Sequence, residues 1–305
     1  NAYAQQLPAE AISTAFKEMV ASTDTNFVCL ALYADKEGVT IPTADAFKQA
    51  IKTAKEAKLE AYVDNVKDEP LVPQLPTPVK IKKEAAAEHG YTCWTLANGA
   101  RVFFKKTDFN NSQVMMAARS LGGTNKVKEE DLTNAELLTA VMSSTGISVE
   151  LEKKMAGKQV SLSPSLTMTT DRLDGNSTPK DLRTLFELIY LRFQKPSVDN
   201  DGYNNLIQTL RTQLQNVVKN PDVAFSDSIQ QTLYGHNKRV GSVIPDLDKA
   251  NYETVRRIYS ERFASAGDFD FFFTGAFDTD SLRAFTEQYI ATLPGIKKRE
   301  KLTDC

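Results

Sequence analysis

Residues 263–278 read FASAGDFDFFFTGAFD, and this stretch decides how the second part of the chain folds. The aromatic run from Asp268 to Thr274 has strand length and predicts a buried β-strand. Apolar residues at helical spacing flank it on both sides, in 252–263 and in 282–293. Pro294-Gly295 ends the second of these patterns. The stretch therefore predicts a helix, a buried strand and a helix in that order.

Upstream of this stretch, the sequence alternates between strand and helix signals. Asn98-Gly99 lies between two short apolar runs and predicts a tight hairpin turn, because this pair accepts positive φ angles. The predicted strands are 91–96, 101–105, 114–120, 159–163 and 166–171, the last with an extension to 176. The predicted helices are 133–144, 150–156, 182–193, 203–218 and 222–234. Residues 88–305 thus predict one complete α+β domain, in which a sheet packs with helices.

Residues 5–66 predict only part of a domain. An amphipathic helix opens at Leu7-Pro8, a wholly apolar strand follows at 27–33, and Thr43 is placed to cap a second helix. A helix, a buried strand and a helix form an incomplete α/β layer, so we expect its other strands to lie upstream of this sequence.

The two blocks are joined by a proline-rich segment, 67–87. Its four prolines are Pro70, Pro73, Pro76 and Pro78, and each of them excludes a helix interior. The pattern predicts an extended connector. We expect it to be the most protease-accessible interior stretch unless it is packed as a strap, with first tryptic cuts at Lys67, Lys80, Lys82 or Lys83.

Composition excludes several classes of protein. The chain has 305 residues, 41% of them hydrophobic and 25% charged, which is ordinary for a globular protein. Its 37 Lys and Arg against 39 Asp and Glu give a net charge of −2 without a basic run, so a nucleic-acid partner is not expected. No apolar stretch approaches the roughly 20 residues of a membrane helix, and no signal peptide is expected.

Histidine and cysteine usage argues against a metal site. The only histidines, His89 and His236, are 147 positions apart. The three cysteines, Cys29, Cys93 and Cys305, have no metal-ligand spacing, and Cys29 fits a buried, inert thiol. The sequence therefore assigns no catalytic and no metal-ligating residue to this chain, and it leaves the substrate-binding residues unknown.

The remaining polar candidates all favour structural interpretations. Glu136 is the one carboxylate in the middle of the helix 133–144 and fits a solvated helix residue, while His236 fits a polar surface residue at a helix end. A hard-cation site formed by Asp171, Asp174 and Asp181 has no matching loop spacing. We expect Asp181, Glu187 and Glu287 to be solubility charges, and Gly122-Gly123 to permit close backbone packing.

Four segments in order resemble the pitrilysin/insulinase (M16) zinc metallopeptidases. Residues 96–102, LANGARV, resemble the L-x-N-G-x-x-V hairpin of that family, and 119–124, RSLGGT, resemble its x-x-G-G-[ST] segment. The stretch 263–278 resembles R-F-x-x-A-x-D-F-x-F-x-x-x-G-x-F-D, and 289–295, YIATLPG, resemble Y-x-x-x-L-P-G.

The resemblance implies an α/β sandwich of the LuxS/MPP-like metallohydrolase type, with a mixed, mainly antiparallel sheet. Family members have four such domains in two halves that enclose a peptide chamber. Residues 5–66 would end the second domain, 67–87 would link the halves, and 88–305 would be the inactive third domain. The helix of the family's His-x-x-Glu-His motif corresponds to 133–144, which contains no histidine. Zinc would then belong to the first domain of the parent protein and not to this chain.

Two functions follow from this resemblance. In the first, the chain is a non-catalytic portion of a zinc endopeptidase and helps to form the chamber wall, with the rest of its own chain and a peptide substrate as partners. In the second, it is a stand-alone inactive subunit that acts as a scaffold or interaction protein. A His-x-x-Glu-His motif upstream would distinguish the two. The compartment stays open; a bacterial relative would be periplasmic or extracytoplasmic.

Overall fold

The computed structural model describes residues 7–22, 28, 30, 40–58, 70–145, 154–194, 197–240, 245–296 and 298–302. The chain divides into two compact units, 1–64 and 65–305, and each is described by itself. No helix within these described ranges combines the length and the apolar character that crossing a bilayer requires.

The first unit contains two described helices, α1 (Ala9–Ser22) and α2 (Ala44–Glu56). Thr43 caps α2 as the sequence predicts, because its hydroxyl accepts a hydrogen bond from the Ala46 amide at 3.2 Å. Most of the predicted strand 27–33 lies outside the described residues. Its two described members, Val28 and Leu30, are 95% and 80% exposed, so the predicted burial on both faces is not met at these positions.

The apolar face of α1 is also exposed. Ile12, Phe16 and Met19 are each more than half accessible to solvent, although their spacing is that of a core-facing stripe. The described part of the first unit therefore does not cover the face that its own sequence pattern predicts to be buried.

The second unit is built on a mixed sheet of seven described strands. They are β1 (Lys83–Ala86), β2 (Thr92–Thr95), β3 (Arg101–Lys106), β4 (Val114–Leu121), β5 (Val160–Leu166), β6 (Thr170–Ser177) and β7 (Asp270–Gly275). Their order across the sheet is β1-β2-β3-β7-β4-β6-β5. Only the β3–β7 pair among these strands is parallel, and the other pairs are antiparallel. The fold is thus α+β with a mainly antiparallel sheet, as predicted.

The second unit also contains six described α-helices. They are α3 (Leu132–Thr145), α4 (Leu182–Arg192), α5 (Asn200–Val217), α6 (Pro221–Leu233), α7 (Tyr252–Arg262) and α8 (Thr279–Phe285). α8 continues directly into a single π-helical turn, Thr286–Ile290. The predicted helix at 150–156 falls largely on residues outside the described ranges.

The core lies between the sheet and these helices. Alternate residues of β7 are fully buried, and Phe273 stacks on Phe186 of α4 with ring centroids 4.9 Å apart. Full burial of such a side chain contributes roughly 1.5–3 kcal/mol. Strand β7, which lies within 263–278, therefore occupies the centre of the sheet and contributes to the core.

The β5–β6 hairpin differs from its predicted position. The sequence places a break after residue 163, whereas β5 runs through Pro164 to Leu166 and the chain turns at 167–169. The strand tolerates Pro164 because β5 is an edge strand, which leaves one side of its backbone without a ladder partner. The Thr167 amide donates to the Thr170 carbonyl at 2.9 Å and closes the turn.

The proline-rich segment packs against the second unit as a strap. We use the name strap for residues 70–82. Leu71 and Val72 are buried in the core, and the Lys82 amide donates to the Thr95 carbonyl at 3.0 Å, next to the start of β1. Of the two predicted states of this segment, the packed strap is the one that the structure contains, since the strap residues bury apolar side chains that a free connector would expose.

Candidate functional site

The first candidate site surrounds α3, the helix that corresponds to the zinc-motif helix in the family resemblance. Eight of its residues are buried, and most of these are apolar. The exception at the start of the helix is Asn134, which is 3% exposed. Its Nδ2 donates to the Lys249 carbonyl at 3.1 Å, and its Oδ1 accepts from the Asn251 amide at 2.7 Å. Asn134 thus fastens α3 to the segment that caps α7.

Glu136 and His236 are brought to the same cavity although they are 100 residues apart. The cavity has a volume of about 540 Å3. Glu136 is exposed to solvent, but desolvation by the surrounding residues raises the pKa of its carboxyl above the ordinary value. His236 follows α6 in the left-handed region at φ 57° and remains exposed, which agrees with the predicted surface position at a helix end. No local pattern predicts their proximity, because it depends on the tertiary packing that brings described residues of 236–249 to the same cavity as α3.

The same cavity is lined by both signs of charge. Lys238 forms an ion pair with Glu129, and Lys249 forms one with Asp246 at 3.0 Å. Both lysines are thus engaged in ion pairs. Glu136 is the one carboxylate of α3 that lines the cavity. The cavity is therefore a mixed-charge surface pocket.

The donors around α3 do not fit the catalytic zinc ion that the resemblance implies for active family members. Such a site uses two imidazoles one helical turn apart with a carboxylate between them. Here α3 supplies Glu136 alone, and His236 is the one imidazole in the cavity. Within the part of the chain that the structure describes, no three His, Cys, Asp or Glu residues cluster in a way that could hold a metal ion.

Asp171 belongs to a buried ion network. It is fully buried, and its Oδ2 lies 2.6 Å from Nη2 of Arg262, while its Oδ1 accepts from the Gly123 amide at 3.0 Å. Arg262 also contacts Glu300 at 2.6 Å. Burial by itself lowers the pKa of Arg262, but hydrogen bonds to Asp171 and Glu300 outweigh this and raise the pKa above its ordinary value. The network holds the Gly122-Gly123 segment against the sheet.

The three aspartates of the suspected cation site do not come together. Asp171 faces the core, whereas Asp174 is exposed on the opposite face of β6 and pairs with Arg119 at 2.5 Å. Asp181 accepts from the Gln159 amide at 3.0 Å and from the Thr178 hydroxyl at 2.8 Å, ahead of α4. Each carboxylate is therefore used separately, and the predicted solubility role of Asp181 is replaced by a local structural one.

Two further predicted solubility charges are in fact buried. The Glu187 side chain is 4% exposed; it pairs with Arg183 at 3.1 Å and accepts from the Tyr289 hydroxyl at 3.2 Å. The Glu287 side chain is 9% exposed and pairs with Lys80 at 2.8 Å. The prediction was wrong for both because these helices are covered on the faces that their sequence pattern left polar: α4 by the last helix and the π turn by the strap.

The Asn98-Gly99 turn is a structural junction. Asn98 Nδ2 donates to the carbonyls of Ile290 and Leu293 at 2.8 and 3.1 Å, and Gly99 has φ 96°. A Cβ atom on Gly267 would lie 2.3 Å from the Asn98 carbonyl oxygen. Three of the four segments that resemble the family thus meet at this turn, namely 96–102, 263–278 and 289–295. Gly99 and Gly267 are needed for this close approach of the backbones.

The other histidine and the cysteines take no part in a described site. His89 has φ 58° and an exposed side chain 3.9 Å from Glu88. Cys93 is a free thiol on β2 whose pKa is raised by burial. Cys29 and Cys305 lie outside the described residues.

The outward face of the sheet forms the second candidate site. Phe103 of β3 and Phe272 of β7 stack there at 5.0 Å, and Met115 is 59% exposed beside them. An open hollow of about 760 Å3 lies on this face. Sequence reasoning missed this surface because it treated the whole aromatic run as buried. The alternation of Asp270, Phe272 and Thr274 with buried phenylalanines is the signal that could have shown it.

Comparison with known proteins identifies relatives over most of the chain. No protein-family model matches. The zinc protease PQQL-like of Arabidopsis thaliana is 24% identical over 264 residues, which are 85% of this chain and 25% of that protein. The probable zinc protease PqqL of Escherichia coli K12 is 20% identical over 242 residues, 77% of this chain and 26% of that protein. The chain thus spans about a quarter of the length of the curated relatives it matches.

Solved structures share the fold. The periplasmic protease PqqL from E. coli superposes with a TM-score of 0.67 at 19% identity, over 87% of this chain and 30% of that chain. The ferredoxin protease FusC, solved as a mutant in complex with Arabidopsis ferredoxin, superposes with a TM-score of 0.61 at 19% identity. The match covers 88% of this chain and 30% of that chain. A separate structure of the first half of PqqL superposes with a TM-score of 0.55 at 11% identity, over 72% of this chain and 50% of that chain. The chain therefore resembles M16-type zinc proteases in sequence and in fold.

Proposed function

We propose that this chain is a non-catalytic portion of an M16-like zinc endopeptidase and helps to form the wall of its peptide-enclosing chamber. The main support for the proposal is the set of side chains that α3 presents to its surroundings. Its inward face is filled by packing residues and by Asn134, and Glu136 is the one carboxylate from it at the cavity. A helix that is fastened in this way contributes stability and shape, but it lacks the imidazole pair that activates water.

The parent protein would contain the rest of the machinery. Its relatives are about four times as long as the matched region, which supports a parent with further domains. We propose that residues 5–66 end its second domain, that 67–87 link the halves, and that 88–305 are the third domain. The exposed apolar face of α1 supports the first assignment, because such a face needs partners. The catalytic zinc and the general base would belong to the first domain.

The same comparison supports a proposal for the substrate and the compartment of the parent. A peptide or small protein enclosed by the chamber is the proposed substrate of the parent; the FusC structure contains ferredoxin, and PqqL is described as periplasmic. For this chain we propose peptide contact only within the full protein, and a periplasmic or other extracytoplasmic location if the source is bacterial.

The experiment is a cleavage assay on the purified chain. A quenched fluorescent peptide library is incubated with the chain, with its Glu136→Gln variant, and with each in the presence of a zinc chelator. We expect no turnover from any sample. Chelator-sensitive turnover that the Glu136→Gln substitution abolishes would overturn the proposal, because it would make α3 a catalytic helix.

The stand-alone scaffold predicted as the alternative is tested by reading the coding sequence upstream of residue 5. An intact His-x-x-Glu-His motif there supports the endopeptidase portion. An upstream region without the motif supports a scaffold subunit.

A further inference from the structure

The last helix changes its hydrogen-bond register where the strap crosses it. In an α-helix the Ala291 amide would donate to the Glu287 carbonyl, four residues back. Here it donates instead to the Thr286 carbonyl, five residues back, at 2.9 Å. The Glu287 carbonyl is thereby released and accepts from the Val79 amide of the strap at 2.9 Å. The π turn therefore supplies a backbone acceptor that a regular helix would not offer.

The side chains of the same turn hold the neighbouring strap residues. Glu287 Oε2 accepts from the Lys80 ammonium at 2.8 Å, and Oε1 accepts from the Ile81 amide at 3.4 Å. The Gln288 amide group donates to the Pro76 carbonyl. Glu287 thus contacts three consecutive strap residues, one through its carbonyl and two through its carboxylate.

The ends of the strap are fixed by other means. On the N-terminal side, Leu71 and Val72 are inserted into the core. On the C-terminal side, the Lys82 amide bonds to β2 and the chain enters β1. The π turn is consequently the attachment of the middle of the strap, and it lies where prolines leave few backbone amides for other bonds.

We propose that the strap and the π turn Thr286–Ile290 form a two-state latch. With the strap docked, the turn keeps the π register and Glu287 binds the strap. With the strap lifted, the Ala291 amide returns to the Glu287 carbonyl and the turn closes into an α-helix. Single π turns inside α-helices are frequently found at functional sites.

Hydrogen bonds connect the π turn with the hairpin between β2 and β3. Asn98 Nδ2 bonds to the carbonyls of Ile290 and Leu293, directly after the turn. A change of register moves these carbonyls relative to Asn98. A pull on the strap is therefore transmitted to the Asn98-Gly99 turn between β2 and β3.

Hydrogen exchange measured by mass spectrometry on the whole chain tests the latch. Deletion of Gln288, the least buried residue of the π turn, removes the extra residue and imposes the α register. Gln288→Ala, which removes the side-chain bond to Pro76 but keeps the length of the turn, is the chain with which the deletion is compared. Val79→Pro removes the strap amide that binds the Glu287 carbonyl and leaves the amino-acid sequence of the turn unchanged. Gln74→Ala, at an exposed strap position, is the control. Peptides covering 70–82, 286–293 and β4 are compared.

We expect exchange of the strap to rise about tenfold in both the deletion and the Val79→Pro chain, which corresponds to about one lost hydrogen bond, with β4 and the control unchanged. We expect 286–293 to stay protected in Val79→Pro, because the turn closes. Strap protection that survives the deletion would overturn the proposal. Loss of protection at 286–293 together with the strap in Val79→Pro would also overturn it, because the turn would then unfold instead of changing register. If the deletion chain does not fold, Val79→Pro and Glu287→Ala decide by the same criteria.

Discussion

Arg262 links parts of the sequence that are far apart along the chain. Its guanidinium joins Asp171 on β6, the Leu121 carbonyl at the end of β4 and Glu300 near the C-terminus. A Cβ atom on Gly122 would lie 1.9 Å from its Nη2, so that glycine is required for the contact. The arginine before the 263–278 stretch and the Gly-Gly segment are thus two sides of one buried ion network.

Removal of Arg262 should be strongly destabilising. Arg262→Ala leaves the fully buried Asp171 carboxylate without its cation, and we expect the free energy of unfolding to fall by about 3–5 kcal/mol. Arg119→Ala is the matched control, because its pair with Asp174 is at the surface and should contribute about 0–1 kcal/mol. Urea denaturation of the three chains measures both values. Similar losses for the two substitutions would contradict the assignment of a buried network.

Tyr259 should make stability depend on alkaline pH. Burial raises the pKa of Tyr259 to about 12, and its hydroxyl donates to the Arg192 carbonyl at 2.6 Å. Because the folded-state pKa is raised, the contribution of this group is fully present below the unfolded value near 10 and is lost as pH rises toward 12. We expect urea midpoints to fall over this window, and to fall less steeply in Tyr259→Phe. Equal slopes in both chains would show that other groups cause the dependence.

At the scale of elements, α3 has two faces with different roles. Asn134 bonds across to the α7 cap, whereas Glu136 faces the mixed-charge cavity. Asn134→Ala leaves the Lys249 carbonyl and the Asn251 amide without this partner, and we expect it to cost about 1–3 kcal/mol. Glu136→Ala, two residues away on the same helix, should change stability by less than about 0.5 kcal/mol. Thermal unfolding of both variants provides the comparison; a larger loss for Glu136→Ala would reverse the roles.

The elements of the second unit could be predicted from hydrophobic period and turn residues. The strand around Phe271, the hairpin at Asn98-Gly99 and the helix ending near Phe193 all lie close to their predicted positions. The sheet order could not be derived in this way, because the parallel β3–β7 pair joins segments more than 160 residues apart. Pairing over such distances is decided by tertiary packing and leaves no local signal in either strand.

The candidate site was predictable only in part. The missing imidazole pair of α3 is visible in the sequence, and so is the lone Glu136. The burial of Glu187 and Glu287 was not, because a helical pattern shows which face is polar but not whether another segment covers it. The strap was predicted only as one of two states, because proline spacing predicts an extended segment and does not show whether that segment is attached.

At the scale of the whole molecule, the two units differ in how much core they contain. The described helix α2 has no buried residue, whereas the second unit holds a continuous core around Phe271 and Phe273. Arg262, Tyr259 and Asn134 all lie in the second unit, so their substitutions report on the stability of that unit.

A fragment of residues 65–305 should fold independently. The strap and the sheet belong to this unit, and its core residues pack with one another. We expect cooperative unfolding of the fragment with the urea midpoint of the full chain. A markedly lower midpoint, or an insoluble fragment, would show that residues 1–64 contribute to the core and that the division into two units is misplaced.

The most direct test of the central claim, that this chain is a non-catalytic part of an M16-like protease, is its zinc content. The purified chain is loaded with zinc, dialysed extensively and measured by elemental analysis beside its His236→Ala variant, which removes the one imidazole of the α3 cavity. We expect far less than stoichiometric zinc in both chains, because α3 offers a carboxylate without the paired imidazoles that a catalytic site needs. Stoichiometric zinc that the His236→Ala substitution abolishes would contradict it.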